Sequence, residues 1–371
     1  MAKSTLGIIF SNIQEKNVPE LSKPRTMASI PFAGRYRLID FGLSNMVNAG
    51  ITAVGIVTKN NYQSLIDHLG SGKDWDLARK GGGIILLPPY SNDMKKPYTT
   101  RLEALMGVSG FLSSRREEYI VIYDCDGVAR IDLSDMLRFH EENNADITMA
   151  YSEQKGVESH YFITLDNEVS GRVKQVNITP KLDGKRKVNL YINIMIIRRQ
   201  YLLDIISSAV QRGQTSFGKD ILAKNVGDMR IFGYKFDGYY AAIDSLQGYY
   251  KHSMEQLDKK VRDELYGARD IYTKVGDTPP TKYLEGAVVK NSLIADGCTI
   301  EGTVENSILF RGVKVGKGTV ITNSVIMQKT VIGSNVKLDA VITDKNVVIR
   351  DRRNLSGCAE LPYFVSKGTM L

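Results

Sequence analysis

Along the first two thirds of the chain, short apolar runs alternate with stretches in which apolar residues recur at helical spacing. Leu6–Phe10, Ile51–Val57, Ile84–Leu87 and Tyr119–Tyr123 are continuous apolar runs of strand length, the pattern of strands covered on both faces. Between the first two, Leu38, Ile39, Phe41, Leu43 and Met46 make a helical stripe that stops at Asn48-Ala49-Gly50. Helices are also predicted over Tyr62–Leu69, Thr99–Leu112, Asp132–Asn143, Gln200–Gln211, Ser216–Val226 and from Tyr239 to about Arg262. Ile147–Tyr151, Tyr161–Leu165, Arg172–Ile178, Val188–Ile197 and Met229–Phe236 read as further strands. The alternation predicts an α/β domain, a doubly wound, Rossmann-like mixed sheet.

From Leu284 the period changes. Apolar residues recur every six positions at Val288, Ile294 and Ile300, at Leu309, Val315 and Ile321, and at Ile326, Ile332 and Leu338, often followed by turn residues. Six residues per side and three sides per coil make a parallel, left-handed β-helix of hexapeptide type, here of about three or four coils. A coil cannot bury its own face, so coils stack, and the uncovered end and sides favour an oligomer. A β-sandwich would alternate at period two with hairpin turns, which is not the pattern. The predicted organisation is a sheet domain over 1–265, a linker over 266–283 containing Pro279-Pro280, and a β-helix over 284–371.

Everything else is arranged around Ile30–Asn45. Pro31 and Gly34 predict a tight turn feeding the helix, with Arg35 and Arg37 as fixed positive forks beside it. Further on, Trp75 is flanked by Gly70-Ser-Gly and Gly81-Gly-Gly83, a mobile surface loop that serves as a lid or merely as a connection. The strand Tyr119–Tyr123 runs into Asp124-Cys-Asp-Gly127, where carboxylates at the carboxyl end of a central strand meet ligands and can hold a divalent cation; Asp and Gly also simply make turns. Lys181–Lys187 reads as a solvated basic hairpin tip. Tyr239, Tyr240, Tyr249 and Tyr250 suit either stacking on a ligand or a half-buried helix face.

Composition narrows the class. The chain has 371 residues, enough for two domains, with 43% hydrophobic and 24% charged positions, a soluble globular balance. No apolar run reaches bilayer length and the N-terminus lacks a signal-peptide profile, so a cytoplasmic protein without membrane contact is expected. Cys125, Cys298 and Cys358 are too scattered for a disulfide framework or zinc site. The charge of +8 is spread without a basic block interleaved with aromatics, which points away from nucleic acid and toward small phosphorylated anions.

Leu21-Ser-Lys-Pro-Arg25, followed by Pro31-Phe-Ala-Gly-Arg-Tyr-Arg-Leu-Ile-Asp-Phe-Gly-Leu-Ser-Asn45, resembles the start of the ADP-glucose pyrophosphorylase (glucose-1-phosphate adenylyltransferase) family, which joins ATP and glucose 1-phosphate for glycogen or starch synthesis. The resemblance covers essentially the whole chain, and its departures fall on the chemistry. An enzyme of this fold cradles phosphates on a glycine-rich loop and shares a cation between two aspartates. Here the loop Ser11–Leu21 has no glycine, and the family's Gly-Gly-Arg-Gly-x-Arg falls on Asn12–Asn17. The family's lysine falls on Met27 and its first metal aspartate on Asp126, inside Cys125-Asp126-Gly127. The second metal aspartate falls on Ala242, with Asp244 two places on, while Glu-Lys-Pro falls on Ile178-Thr179-Pro180 and Ser-Met-Gly on Tyr191-Ile192-Asn193.

No catalytic or metal-ligating residue is therefore expected; Asp124, Asp126 and Asp244 are vestigial. Scaffold retention with site loss resembles the GlgD-type branch, which implies a regulatory subunit in a heterotetramer with a catalytic GlgC-type subunit. Such a chain requires no cofactor, and Mg2+ would serve the catalytic partner. The alternative is an active enzyme with Asp124, Asp126 and Asp244 rearranged around one cation. An acyltransferase in the β-helix is excluded because no histidine follows His252. For anions, Arg25, Arg35 and Arg37 with Arg350, Arg352 and Arg353 are expected to form an interdomain pocket for phosphate or a sugar phosphate, unless they pair with Asp40, Asp351 or other carboxylates.

Overall fold

The computed structural model describes residues 4–13, 15–89, 98–155, 162–179, 187–267 and 269–371. Lys181–Arg186 of the basic hairpin tip, with Tyr161 and Pro180, lie outside them. Four parallel strands, Gly83–Leu87, Ala53–Val57, Thr5–Phe10 and Tyr119–Asp124, lie side by side and continue into the antiparallel strand Lys187–Arg198. Beyond it pair Phe162–Asn167 and Val173–Thr179, and Ile147–Lys155 carries Ile231–Lys235. The sheet is mixed, as expected. Apolar side chains fill both its faces, which is why its central strands lack polar alternation.

The organising stretch is more structured than a loop. Pro31–Phe32 and Tyr36–Arg37 pair as a small hairpin whose turn places Ala33 and Gly34 at positive φ, +49° and +81°. The helix Leu38–Asn48 starts at once, its Asp40 carboxylate accepting from the Arg37 backbone N–H at 3.0 Å. The predicted helix Thr99–Leu112 is two helices, Arg101–Gly107 and Ser109–Ser114, broken at Val108. The glycine-flanked segment is not a free surface loop: Trp75 is buried and meets His68 edge to face, which fixes the connection to the core. Tyr249 donates to Pro31 O and Tyr250 to Asn323 O, so these tyrosines tie a helix to the hairpin and to the coil.

The C-terminal region is a left-handed parallel β-helix with five strands on each of three faces, one or two coils more than the apolar count implied. Coils span 17 residues where Lys314 pairs with Val331 and Val331 with Val348, but 15 where Thr299 pairs with Lys314. At the C-terminal end the spacing stretches, since Tyr363 pairs with Val341, 22 residues earlier. Val288 points out rather than in, and Val289 packs inward instead.

The two regions share one core: Leu38, Phe41 and Phe32 pack in the same cluster as Ile308, Phe310, Val325 and Ile342 of the coil. Within this interface one Arg25 Nη2 meets both Asp344 carboxylate oxygens at 2.6 and 2.7 Å, with the side chains 2% and 1% exposed. Removing one member strands a buried charge, so Arg25→Ala or Asp344→Ala is expected to cost about 3–5 kcal/mol. Arg25→Met combined with Asp344→Leu is expected to recover most of that loss in a denaturant titration.

Candidate functional site

At the carboxyl end of the parallel strands, Phe10 and Asp124 stand in register on adjacent strands, and the loop after Phe10 borders the site. That loop is held by its own side chains. Asn12 Nδ2 donates to Asn60 Oδ1 at 3.1 Å, Ile13 packs against the core, and Glu15 forms an ion pair of 2.9 Å with Lys59. Lys59 in turn lies over the Tyr98 ring, and the Tyr98 hydroxyl reaches Asn12 Oδ1. Where a phosphate cradle needs bare backbone amides, this segment presents a packed side-chain network.

The two neighbouring aspartates meet a cation supplied by the chain. Arg101 Nη2 lies 2.6 Å from Asp124 Oδ2 and 3.0 Å from Asn193 Oδ1, and Asn193 Nδ2 donates to Asp126 Oδ2 at 2.7 Å. Burial opposes the charge on Arg101, but Asp124, Tyr191 and Asp126 together more than offset it and raise its pKa. Burial pushes Asp126 up to about 7, with the Asp124 charge adding to the effect. Asp244 lies before the helix Leu246–Glu255 and accepts from the Ser245 hydroxyl. Among the described residues no three His, Cys, Asp or Glu side chains form a group able to hold a metal ion. Arg101 and Asn193 each take up one oxygen of Asp124 and Asp126, and Ala242 stands at the family's second aspartate position, so the donor set does not match a cation shared by two aspartates.

A second site lies between hairpin and coil. A cavity of about 320 Å³ is lined by Arg35, Arg37, His68, Lys274, Arg311, Gln328, Lys329, Lys345 and Asn346, with no carboxylate among them. Arg37 Nη1 donates to Ser64 Oγ at 3.0 Å and to the Ser64 carbonyl, and His68 Nε2 sits 2.6 Å from Asp40 Oδ1. Burial lowers Arg37 to about 10 despite the opposing pull of Asp40. Burial, then the charges of Arg37 and Arg25, lowers Lys345 to about 7. The six arginines do not converge. Arg25 is spent on Asp344, Arg35 and Arg37 reach the interdomain cavity, and Arg350, Arg352 and Arg353 line a separate exposed cavity beside Met370 and Leu371. Sequence reasoning missed Arg101, Asn193 and Lys345. The capping box Thr100-x-x-Glu103, which puts Arg101 on the first helical turn, was the one available signal.

Sheet, degenerate loop and hexapeptide coil together define a sugar-nucleotide type of nucleotidyl transferase architecture. The nucleotidyl transferase family model matches residues 17–257, and the GlmU-like C-terminal hexapeptide model matches 279–357. The chain is 36% identical over 365 residues to the glycogen biosynthesis protein GlgD of Bacillus subtilis, covering 98% of this chain and 96% of that protein. It is 30% identical to the glucose-1-phosphate adenylyltransferase of Fervidobacterium nodosum, covering 94% of this chain and 85% of that protein. With its Bacillus anthracis counterpart the identity is 32%, over 93% of each chain. The chain belongs to the glucose-1-phosphate adenylyltransferase family. No helix among the described residues is long and apolar enough to cross a membrane.

The described lining of the interdomain cavity is positive, and its charge follows Lys345. Below about pH 7 Lys345 is protonated and adds to the attraction; above it the amine is neutral. Sulfate stays divalent throughout, so its thermal protection is expected to weaken from about pH 6 to about pH 8. In Lys345→Met the protection at the acid end should fall roughly tenfold in affinity and lose its pH dependence. Equal protection at both pH values in the unaltered chain would show that Lys345 has no part in holding sulfate.

Proposed function

We propose that this chain is a non-catalytic regulatory subunit of glucose-1-phosphate adenylyltransferase, acting on ADP-glucose synthesis for glycogen through a catalytic GlgC-type partner in a cytoplasmic heterotetramer. The observation that carries this reading is the loop after the first strand. It has no glycine, and Asn12, Ile13 and Glu15 fill it with contacts of their own. Backbone amides engaged or screened in this way do not cradle the phosphates of ATP, and the charge built up in phosphoryl displacement has no lysine at Met27 and no paired metal aspartates to meet it. The chain needs no cofactor of its own, while Mg2+ serves the partner.

The interdomain cavity supplies the regulatory element. Phosphate or a sugar phosphate bound by Arg35, Arg37 and Lys345 would bridge hairpin and coil and so bias how the sheet domain sits on the β-helix. That β-helix leaves outward valines at 288, 320 and 331, a surface suited to partner subunits or a second copy of the chain.

The decisive assay measures ADP-glucose formation with magnesium, ATP and glucose 1-phosphate, first by this chain alone and then with the catalytic subunit added. Silence alone, with altered turnover or effector response in the mixture, is expected. Robust turnover by the chain alone would return Asp124, Asp126 and Asp244 to consideration as a working metal site. Arg37→Ala is expected to abolish the effector response of the mixture while leaving its assembly intact.

A further inference from the structure

The non-catalytic reading leaves a physical problem at the old site, and the solution rests on that reading. Asp124 and Asp126 sit two residues apart at the end of a buried strand, and like charges in low dielectric repel strongly unless a cation stands between or beside them. An enzyme meets that need with a metal that exchanges with solvent. Here a guanidinium meets it.

We propose that Arg101 is a resident substitute for the metal, a cation built into the chain that fills the site and fixes its shape without metal or nucleotide. Three segments converge on it. The helix Arg101–Gly107 fixes the backbone of Arg101 through the Thr100–Glu103 capping box, in which Glu103 N donates to Thr100 Oγ1 and Thr100 N to Glu103 Oε2. The strand Tyr119–Asp124 delivers the Asp124 carboxylate at 2.6 Å. The strand Lys187–Arg198 slips register between Tyr191 and Met195, and within that slip Asn193 adopts φ +58°, a left-handed conformation that asparagine tolerates. The slip turns the Asn193 amide so that its oxygen accepts from Arg101 and its nitrogen donates to Asp126. The guanidinium thus answers one aspartate directly and the other through an amide relay, while its face lies 5.9 Å from the Tyr191 ring centre. Asp124 Oδ1 and Asp126 Oδ1 remain buried without hydrogen-bond partners, which marks the pair as short of positive charge even with Arg101 in place.

The substitute differs from a metal in one functional respect: it is covalently part of the helix and cannot be diluted away. The site keeps its form at any magnesium or nucleotide level, so the chain's fold and its partner-facing behaviour are uncoupled from both.

Manganese is the probe. The unaltered full-length chain should neither bind Mn2+ by EPR titration nor change Tm in millimolar Mn2+. Arg101→Met strands the carboxylates and should lower Tm by roughly 5 °C. Added Mn2+ should restore much of that loss and bind at one site. Arg101→Met with Asp124→Leu removes both charges, and its Tm should return toward that of the unaltered chain with no response to Mn2+. An Arg101→Met chain as stable as the parent, or an unaltered chain that binds Mn2+ as tightly as the variant, would overturn the proposal. Should Arg101→Met fail to fold, the double variant decides: recovery supports the substitution, and failure to recover refutes it. ADP-glucose formation by the unaltered chain is scored separately, so a catalytically active chain refutes the earlier reading without being mistaken for this result.

Discussion

The interface between sheet and coil depends on a charge pair that has nowhere else to go. Arg25 and Asp344 are both removed from water, and their mutual contact, with the Lys345 backbone N–H donating to Asp344 Oδ1, offsets the desolvation. Around them the core is continuous, so Leu38 and Phe41 from the sheet domain share neighbours with Ile308, Phe310 and Ile342 from the coil. Two consequences follow from where the pair sits. Asp344 is followed at once by Lys345, and the pair therefore delivers that lysine to the hairpin carrying Arg35 and Arg37. The same contact that joins the regions also sets the geometry of the cavity between them.

Two clusters of charge in this molecule show how balance decides use. In the cavity, cations outnumber carboxylates in the lining, and burial, then the charges of Arg37 and Arg25, lowers Lys345 to about 7 even though Asp344 pulls the other way. Such a site gains from an incoming anion. At the carboxyl end of the sheet the imbalance has the opposite sign, two aspartates against one arginine, and the deficit is closed largely from within. One cluster leaves its positive charges facing a cavity, while the other meets one oxygen of each aspartate with side chains of the chain itself.

What the sequence disclosed divides along the same lines. Period and run length carried the sheet, the helix Leu38–Asn48 and the coil, because those follow from which residues avoid water. The missing glycines of Ser11–Leu21 were equally plain, since a backbone cradle needs residues without side chains. Arg101 was not visible in this way: its role depends on a register slip at Asn193, some ninety positions away, that no local pattern announces. The expected pocket joins Arg25, Arg35 and Arg37 at the glycine turn to Arg350, Arg352 and Arg353 at the β-helix end because arginine forks suit phosphate. Coil geometry instead places the last three on a separate exposed face, while Lys345, a single unremarkable residue in a turn, takes their expected place. The coil count ran low because coil length varies, from 15 residues between Thr299 and Lys314 to 22 between Val341 and Tyr363.

On the non-catalytic reading proposed above, the altered site is not decay of the fold. An active phosphate site must hold glycines, unpaired donors and a cation pocket open to water, and each of these weakens the apo protein. Ile13 in the core, Glu15 on Lys59, Asn12 on Asn60 and Arg101 on Asp124 each replace such an opening with a contact. On that reading transition-state binding no longer constrains these positions, and packing and charge pairing set them instead. The cavity at Arg35, Arg37 and Lys345 is the opposite case: burial lowers Arg37 to about 10 and Lys345 to about 7 even with Asp40 and Asp344 pulling the other way, so holding these charges costs stability until an anion meets them.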